Sequence, residues 1–356
     1  GEAVRTAEAE VRAVFRSVVD QIERVTRMAQ NEAKKVDWRG LPDEALTNAR
    51  KALDTVRAEI EERTNGKINL GWILNDASRE VELPFTLPHG KSLRIENDCG
   101  DVHVIGGDSV SEVKASVRVR AGTLEESRRV AAEYSLAVEE TDGEVRIRQP
   151  HIPGVTVNLL VTIPEASFVE ARADSGAIEV RDVRGAVRAT SRTGKIQVSG
   201  SEGAVELKSE TGSISVGAIA GGATIESNSG DVVIEGMRGD LRARSSSGGI
   251  IGRGLASGVV ETETVSGAIH LIFAEAPSAV TASTVSGRIE ATAPEGGSYE
   301  VDLSSLRGEV HCDFVLEEST RSAGRVAGRV GEGGRTVKLS SVSGSVDLHM
   351  EKSTPE

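Results

Sequence analysis

Two periodicities divide the chain. Up to residue 66 apolar positions recur every three or four residues: Val11, Phe15, Val18, Ile22, Val25 and Ala29, then Leu46, Ala49, Leu53, Val56 and Ile60. These are seams of the heptad kind and predict two helices. Between them GLPDEAL supplies Pro42, Asp43 and Glu44 for a helix start, and Gly66 falls just past the second helix. Each seam is shorter than three heptads, so the segment 1–66 reads as a helical hairpin or a coiled-coil accessory element. From 67 to 170 the alternation has period two, in EVELPFTL, KSLRIEN, DVHVIGG, EVKASVRVR, EVRIRQ and VNLLVTIP, which predicts strands. Only Thr123 to Tyr134 breaks that rhythm. Thr123 and Glu126 form a capping box there, and a short helix over about 123–134 is expected.

From 171 to 350 the alternation is itself repeated. SGAIEV, TGKIQV, TGSISV and SGDVVI return at an interval of eighteen, with the glycine at Gly176, Gly194, Gly212, Gly230 and Gly248, then at Gly267, Gly287, Gly308 and Gly344. A second series, Gly185, Gly203, Gly221, Gly239 and Gly258, marks the midpoints. Each period therefore carries two strands, and a mainly β, single-stranded β-solenoid follows, its aliphatic columns stacked coil over coil. Val187, Ala189, Ser191 and Thr193 share one inward parity, and Ile196 and Val198 resume it after Gly194. About nine coils, in chain order from Gly176 to Gly344, would make a rod on the order of 45 Å long. Glycine is expected at the corners because positive φ costs it nothing. Residues 351–356 are left as a tail.

Composition sharpens this picture. Of 356 residues 38% are hydrophobic but only nine are aromatic, and 39 are glycine, so the core must be aliphatic and the turns frequent. The net charge of −13, without clustered Lys and Arg, excludes an extended nucleic-acid interface. No apolar run approaches eighteen residues, so no membrane-spanning helix is expected in this chain. Cys99 and Cys312 are too few for a disulfide framework; Cys312 shares the inward parity of Val310.

Candidate chemistry is thin. The serines before the repeat glycines (Ser175, Ser229, Ser247, Ser266, Ser286, Ser343) recur on coil after coil, whereas a nucleophile needs a base and an oxyanion hole in one place. They are read as buried corner hydroxyls that satisfy backbone groups. Calcium-binding β-rolls place an Asp in every nine-residue unit; here Asp231 and Asp240 have no matched neighbours. Gly-Asp-Ser within GGDSV (106–110) reads as a turn. His103, His270 and His311 sit three residues after repeat glycines, and His270, Glu290 and His311 would form an outward column with the two imidazoles about 10 Å apart, too far to share one metal ion. No catalytic, cofactor-binding or metal-ligating residue is nominated, and no cofactor.

SLRIENDCGDVHVIGGDSVSEVKASVRVRAGTLEESRRVAAEY, followed by VNLLVTIPEASFVEARADSGAIEVRDVRGAVRATSRTGKIQV, resembles the bacterial β-strand-repeat family of "putative adhesins", a domain of unknown function also described as a toastrack domain. The resemblance covers about residues 80–350 and departs at Cys99, at Arg307 and in the coil AGRVAGRVGEGGRTV. It implies a β-solenoid and a cell-envelope or envelope-stress setting, extracytoplasmic or membrane-tethered, with a cytoplasmic location as the alternative. It brings no catalytic residues. The expected function is a non-enzymatic interaction scaffold binding a protein or an envelope polymer, with homo-oligomerisation through residues 1–66 open. A carbohydrate-active β-helix enzyme and a self-assembling rod are the rivals.

Overall fold

Period-two alternation becomes 27 strands in two sheets, one of 13 strands and one of 14, in the computed structural model. It describes residues 76–351 apart from 89, 90, 108–110, 142 and 166; the helical hairpin expected over 1–66 lies outside the described residues. Each coil gives one strand to each sheet, and the inward side chains of both form a single aliphatic core. In the strand Val187–Thr193, Val187, Ala189 and Ser191 are buried, whereas Thr193, expected inside, is exposed. Strands eighteen apart pair in parallel and in register, Val187 with Val205 and Ile196 with Ile214. A one-residue slip would turn each aliphatic column outward, so the core fixes the register.

The order of coils in space is not the order in the chain. The strands Ser92–Cys99 and Val102–Gly107 stack directly against Phe168–Ser175 and Ile178–Arg181, so the Gly100 coil belongs to the solenoid. The chain then passes to the outer side of that coil, where Glu144–Arg148 and Val155–Pro164 form the outermost one. At the other end the chain leaves Ala279–Ser286 and Ile289–Pro294, skips a place to build Tyr299–Ser305 and Val310–Cys312, and returns. Arg335–Ser341 and Val346–Glu351 fill the slot between. Gly344 therefore stacks on Gly287, and Gly308 on Gly344, in place of the simple succession the spacing suggests. Eleven coils result.

Antiparallel strands extend the stack at both ends: Asp76–Pro84 and Glu112–Arg120 on one sheet and Ala137–Glu140 on the other, then Glu317–Ser322 and Arg325–Val330 at the far end. The helix spans Leu124–Glu133, capped by Thr123 Oγ1, which accepts from the Glu126 amide at 3.1 Å. Arg79 closes its other end, donating from Nη1 to the carbonyls of Ala131, Ala132 and Tyr134.

The two corners are built differently. At the first, a Cβ on Gly194, Gly212, Gly248 or Gly287 would fall on the carbonyl of the glycine one coil earlier. Lack of space demands glycine throughout this column; the positive φ expected at the corner is found at Gly176, Gly194 and Gly230 (133° to 157°) but not at Gly212, Gly248 or Gly287. The hydroxyls directly before these glycines, expected inside, are exposed. The buried column lies two residues earlier: Ser191, Ser209, Ser227, Ser245, Thr264, Thr284, Ser341 and Ser305, aligned strand by strand. Thr264, Thr284 and Ser341 donate to the corner carbonyls of Gly248, Gly267 and Gly287 at 3.0–3.2 Å. The parity of a strand that bends before its glycine explains the shift. At the second corner Asp182, Gly200, Ala218, Gly236 and Gly254, eighteen apart, all take left-handed φ between 52° and 69°. This step turns the next residue (Val183, Ser201, Ile219, Met237, Leu255) back into the core.

Candidate binding surface

Just past the second glycine series the chain has almost no side chain. Ala186, Ala204 and Gly222 follow Gly185, Gly203 and Gly221, and together they floor a cleft of about 570 Å³ running along the stack. Phe168 closes one end; Asp240 and Val259 close the other. The floor carbonyls are already spent: Ala186, Ala204, Gly222 and Asp240 each accept from an amide of the preceding coil's strand at 2.8–3.0 Å. The Asp240 carboxylate is also engaged, accepting from the Val259 amide at 3.0 Å. What remains for a visitor is a mostly apolar trough with one wall of long polar side chains.

That wall is a charge ladder. Arg188 pairs with Glu206 at 2.8 Å and Arg242 with Glu261 at 2.6 Å, each across one strand step. A second column alongside links Lys208 to Glu226 at 3.2 Å and Arg244 to Glu263 at 3.3 Å. Opposite charges on neighbouring strands are the stabilising arrangement, and pairs as exposed as these contribute little each. The Glu206 carboxyl is held below its usual range, chiefly by the hydrogen bond from Arg188, with Lys208 adding to it. The sequence carried a signal for this trough, the repeated small residue after each midpoint glycine in RGAV, EGAV and GGAT.

The histidines expected on one column are rearranged by the inserted coil. The column runs His270, Glu290, Asp347, His311, so Asp347 separates Glu290 from His311. His311 meets Asp313 instead, Nε2 to Oδ1 at 2.7 Å, and His349 approaches the other oxygen of Asp313 through Nδ1 at 3.1 Å. The two imidazoles thus face different oxygens of one carboxylate, and no group of three metal-ligating side chains converges among the described residues. His103 lies apart, against Glu179 at 2.8 Å. Asp231 and Asp240, the unmatched aspartates, each bind a backbone amide of the next coil. Cys312 is buried, its thiol pushed up by burial; Cys99 is half-buried. Asp108–Val110 of the Gly-Asp-Ser turn lie outside the described residues.

A β-solenoid with glycine-lined corners, paired charges on its faces and a shallow trough defines a repeat scaffold. The chain belongs to the Toastrack family DUF4097, whose family model matches residues 27–349. No curated protein matches it. Three solved structures resemble parts of this chain. A "putative lipid binding protein" of Parabacteroides distasonis shares 12% identity over 78% of this chain and 97% of its own, with a TM-score of 0.46. A "putative adhesin" of the same organism shares 12% over 76% and 97%, TM-score 0.45. A "putative adhesin" of Parabacteroides merdae shares 12% over 78% and 96%, TM-score 0.34.

Proposed function

We propose that the protein is a non-enzymatic interaction scaffold of the bacterial cell envelope, and that the trough from Phe168 to Val259 receives its protein or envelope-polymer partner. The observation that carries this reading is the trough itself: a mostly apolar cleft lined from six successive coils, opened by the small residues Ala186, Ala204 and Gly222. Gly222 is not forced to be glycine, because a Cβ there would meet only the Asp240 carbonyl, at 3.5 Å, and its φ is not left-handed. Two features weigh against the rivals. A hydrolase needs a carboxyl group free to give or take a proton at its substrate. The carboxylates lining the trough are each engaged: Glu206 with Arg188, Glu261 with Arg242 and Asp240 with the Val259 amide. A self-assembling rod needs open, flat edge strands. Here the sheets end on Ala137–Glu140 and Val310–Cys312, both short, and on Glu317–Ser322, fully exposed, charged and interrupted by a bulge. The remaining edge, Asp76–Pro84, is nine residues long but carries Asp76, Arg79, Glu80 and Glu82 and ends in a proline. No helix among the described residues is long and apolar enough to cross a membrane; the envelope setting follows from the family resemblance. The test compares wild-type protein with Gly222→Leu, which fills the trough without straining the backbone. Capture of envelope proteins or of insoluble cell-wall polymer should fall at least tenfold with an unchanged melting temperature. Equal capture by both would sink the reading.

A further inference from the structure

We infer that the last four coils carry a second interaction surface, a face of the 14-stranded sheet that pairs weakly with the same face of another copy of this chain. On the earlier strands most outward positions are charged, Arg188 and Arg192, Glu206 and Lys208, Arg242 and Arg244, with Thr190 and Thr224 among them. On Ala279–Ser286, Arg335–Ser341 and Tyr299–Ser305 the same columns become Thr281, Ser283 and Val285, then Lys338 and Ser340, then Asp302 and Ser304. Along their border runs a ridge of exposed aliphatics in spatial order, Val265 (52% exposed), Val285 (50%), Val342 (42%) and Leu306 (76%). Contiguous exposed apolar side chains of this kind mark interaction sites. The inserted coil creates the ridge, because Val342 reaches its place between Val285 and Leu306 only by filling that slot.

A second copy fits this face on two counts. The chain as a whole is strongly acidic, yet here charge is close to balance, with Asp302 neutralised by Arg325 at 2.9 Å. Among the described residues Arg335, at the start of its strand, forms no ion pair within the chain, and neither do Lys338 and Glu300, one charge of each sign. A two-fold axis between them sets Lys338 of each copy against Glu300 of the other, the self-complementarity an isologous contact needs. The area suits a weak dimer. The four strands of these coils and Arg325–Val330, which pairs beside Tyr299–Ser305, make five strands about 4.8 Å apart and about seven residues long at about 3.3 Å each, roughly 550 Å² per copy. The total, about 1,100 Å², falls in the range of specific but transient contacts. The test is sedimentation velocity on the full chain from low to high micromolar concentration. The mass should rise from 37.4 kDa toward twice that value. Val285→Glu with Val342→Glu should weaken association at least tenfold at unchanged melting temperature, both sites being half exposed. Lys338→Glu and Glu300→Lys should each weaken it alone and restore it together, a rescue that a merely structural role would not give. A monomer at the highest concentration, or a dimer indifferent to all four substitutions, overturns the proposal.

Discussion

Single residues in this protein are constrained less by chemistry than by the nearness of the coil beneath. Gly212 illustrates it: any Cβ would collide with the backbone carbonyl of Gly194, which cannot turn aside as a side chain could. Gly212→Ala should therefore cost several kcal/mol, in the range reserved for backbone clashes in a core. Gly217, with nothing within 4 Å of its Cβ position, should accept alanine within about 0.5 kcal/mol. Urea unfolding of the two variants separates crowding from conformational freedom as the reason for glycine. The second corner makes the opposite case. Ala218 holds a φ of 52° in a column where Gly200, Gly236 and Gly254 hold the same conformation without strain. Ala218→Gly should stabilise by about 1 kcal/mol, the order of the left-handed penalty it relieves. A neutral or destabilising result would mean that the alanine side chain is held by something beyond its backbone.

At the scale of elements the unit is the coil, not the strand. Deleting Lys195–Gly212 joins Gly194 to Ser213 and leaves both sheets with every inward column in register, so a shorter folded solenoid is expected. Deleting only Lys195–Gly203 removes a strand of the 13-stranded sheet and joins Val187–Thr193 directly to Val205–Thr211. These are neighbouring parallel strands of the 14-stranded sheet with no crossover left between them, so this variant should unfold at a far lower temperature. Equal melting of the two would disprove the two-strand coil. The ties between coils titrate as well. Burial raises the Asp313 carboxyl, but hydrogen bonds from His349, His311 and the Met350 amide outweigh it, and the net shift is downward. A depressed folded pKa means that its stabilising contribution is present above the unfolded value of about 3.9 and is lost as pH falls through the folded one. Glu179 shifts the same way, burial raising it and Arg181 and His103 prevailing. Asp313→Asn should lower the melting temperature at pH 7 and converge with wild type at acidic pH. A constant offset down to the lowest pH would show that the carboxylate's charge is irrelevant.

For the whole molecule, the solenoid was legible because its cause is periodic: Ile196, Ile214 and Val232 cannot all be buried unless eighteen residues make one turn. The interruption at Thr123 was equally readable, since a capping box is local. What escaped was whatever depends on neighbours distant in the chain. Gly344 stands 36 residues after Gly308, which spacing reads as two further turns, yet it lies between Gly287 and Gly308 because Val346–Glu351 finds its hydrogen-bond partners on both. The burial of Ser227 rather than Ser229 turned on a bend that no alternation rule marks. The trough was present in the repeated Gly-Ala steps, but small residues announce a cavity only when the columns beside them are known to be long.

The inserted coil also sets a clock on biosynthesis. When Pro294 and Cys312 have been made, the two coils they complete still flank a vacant place whose occupant, residues 335–351, has yet to be translated. From Cys312 to Glu351 is 39 residues, roughly 2 to 8 s of synthesis at 5–20 residues per second. Throughout that interval the strand Ala279–Ser286 and the strand Tyr299–Ser305 show raw edges to every chaperone and protease in reach. The nascent chain is thus marked as unfinished until its own terminal coil covers the mark.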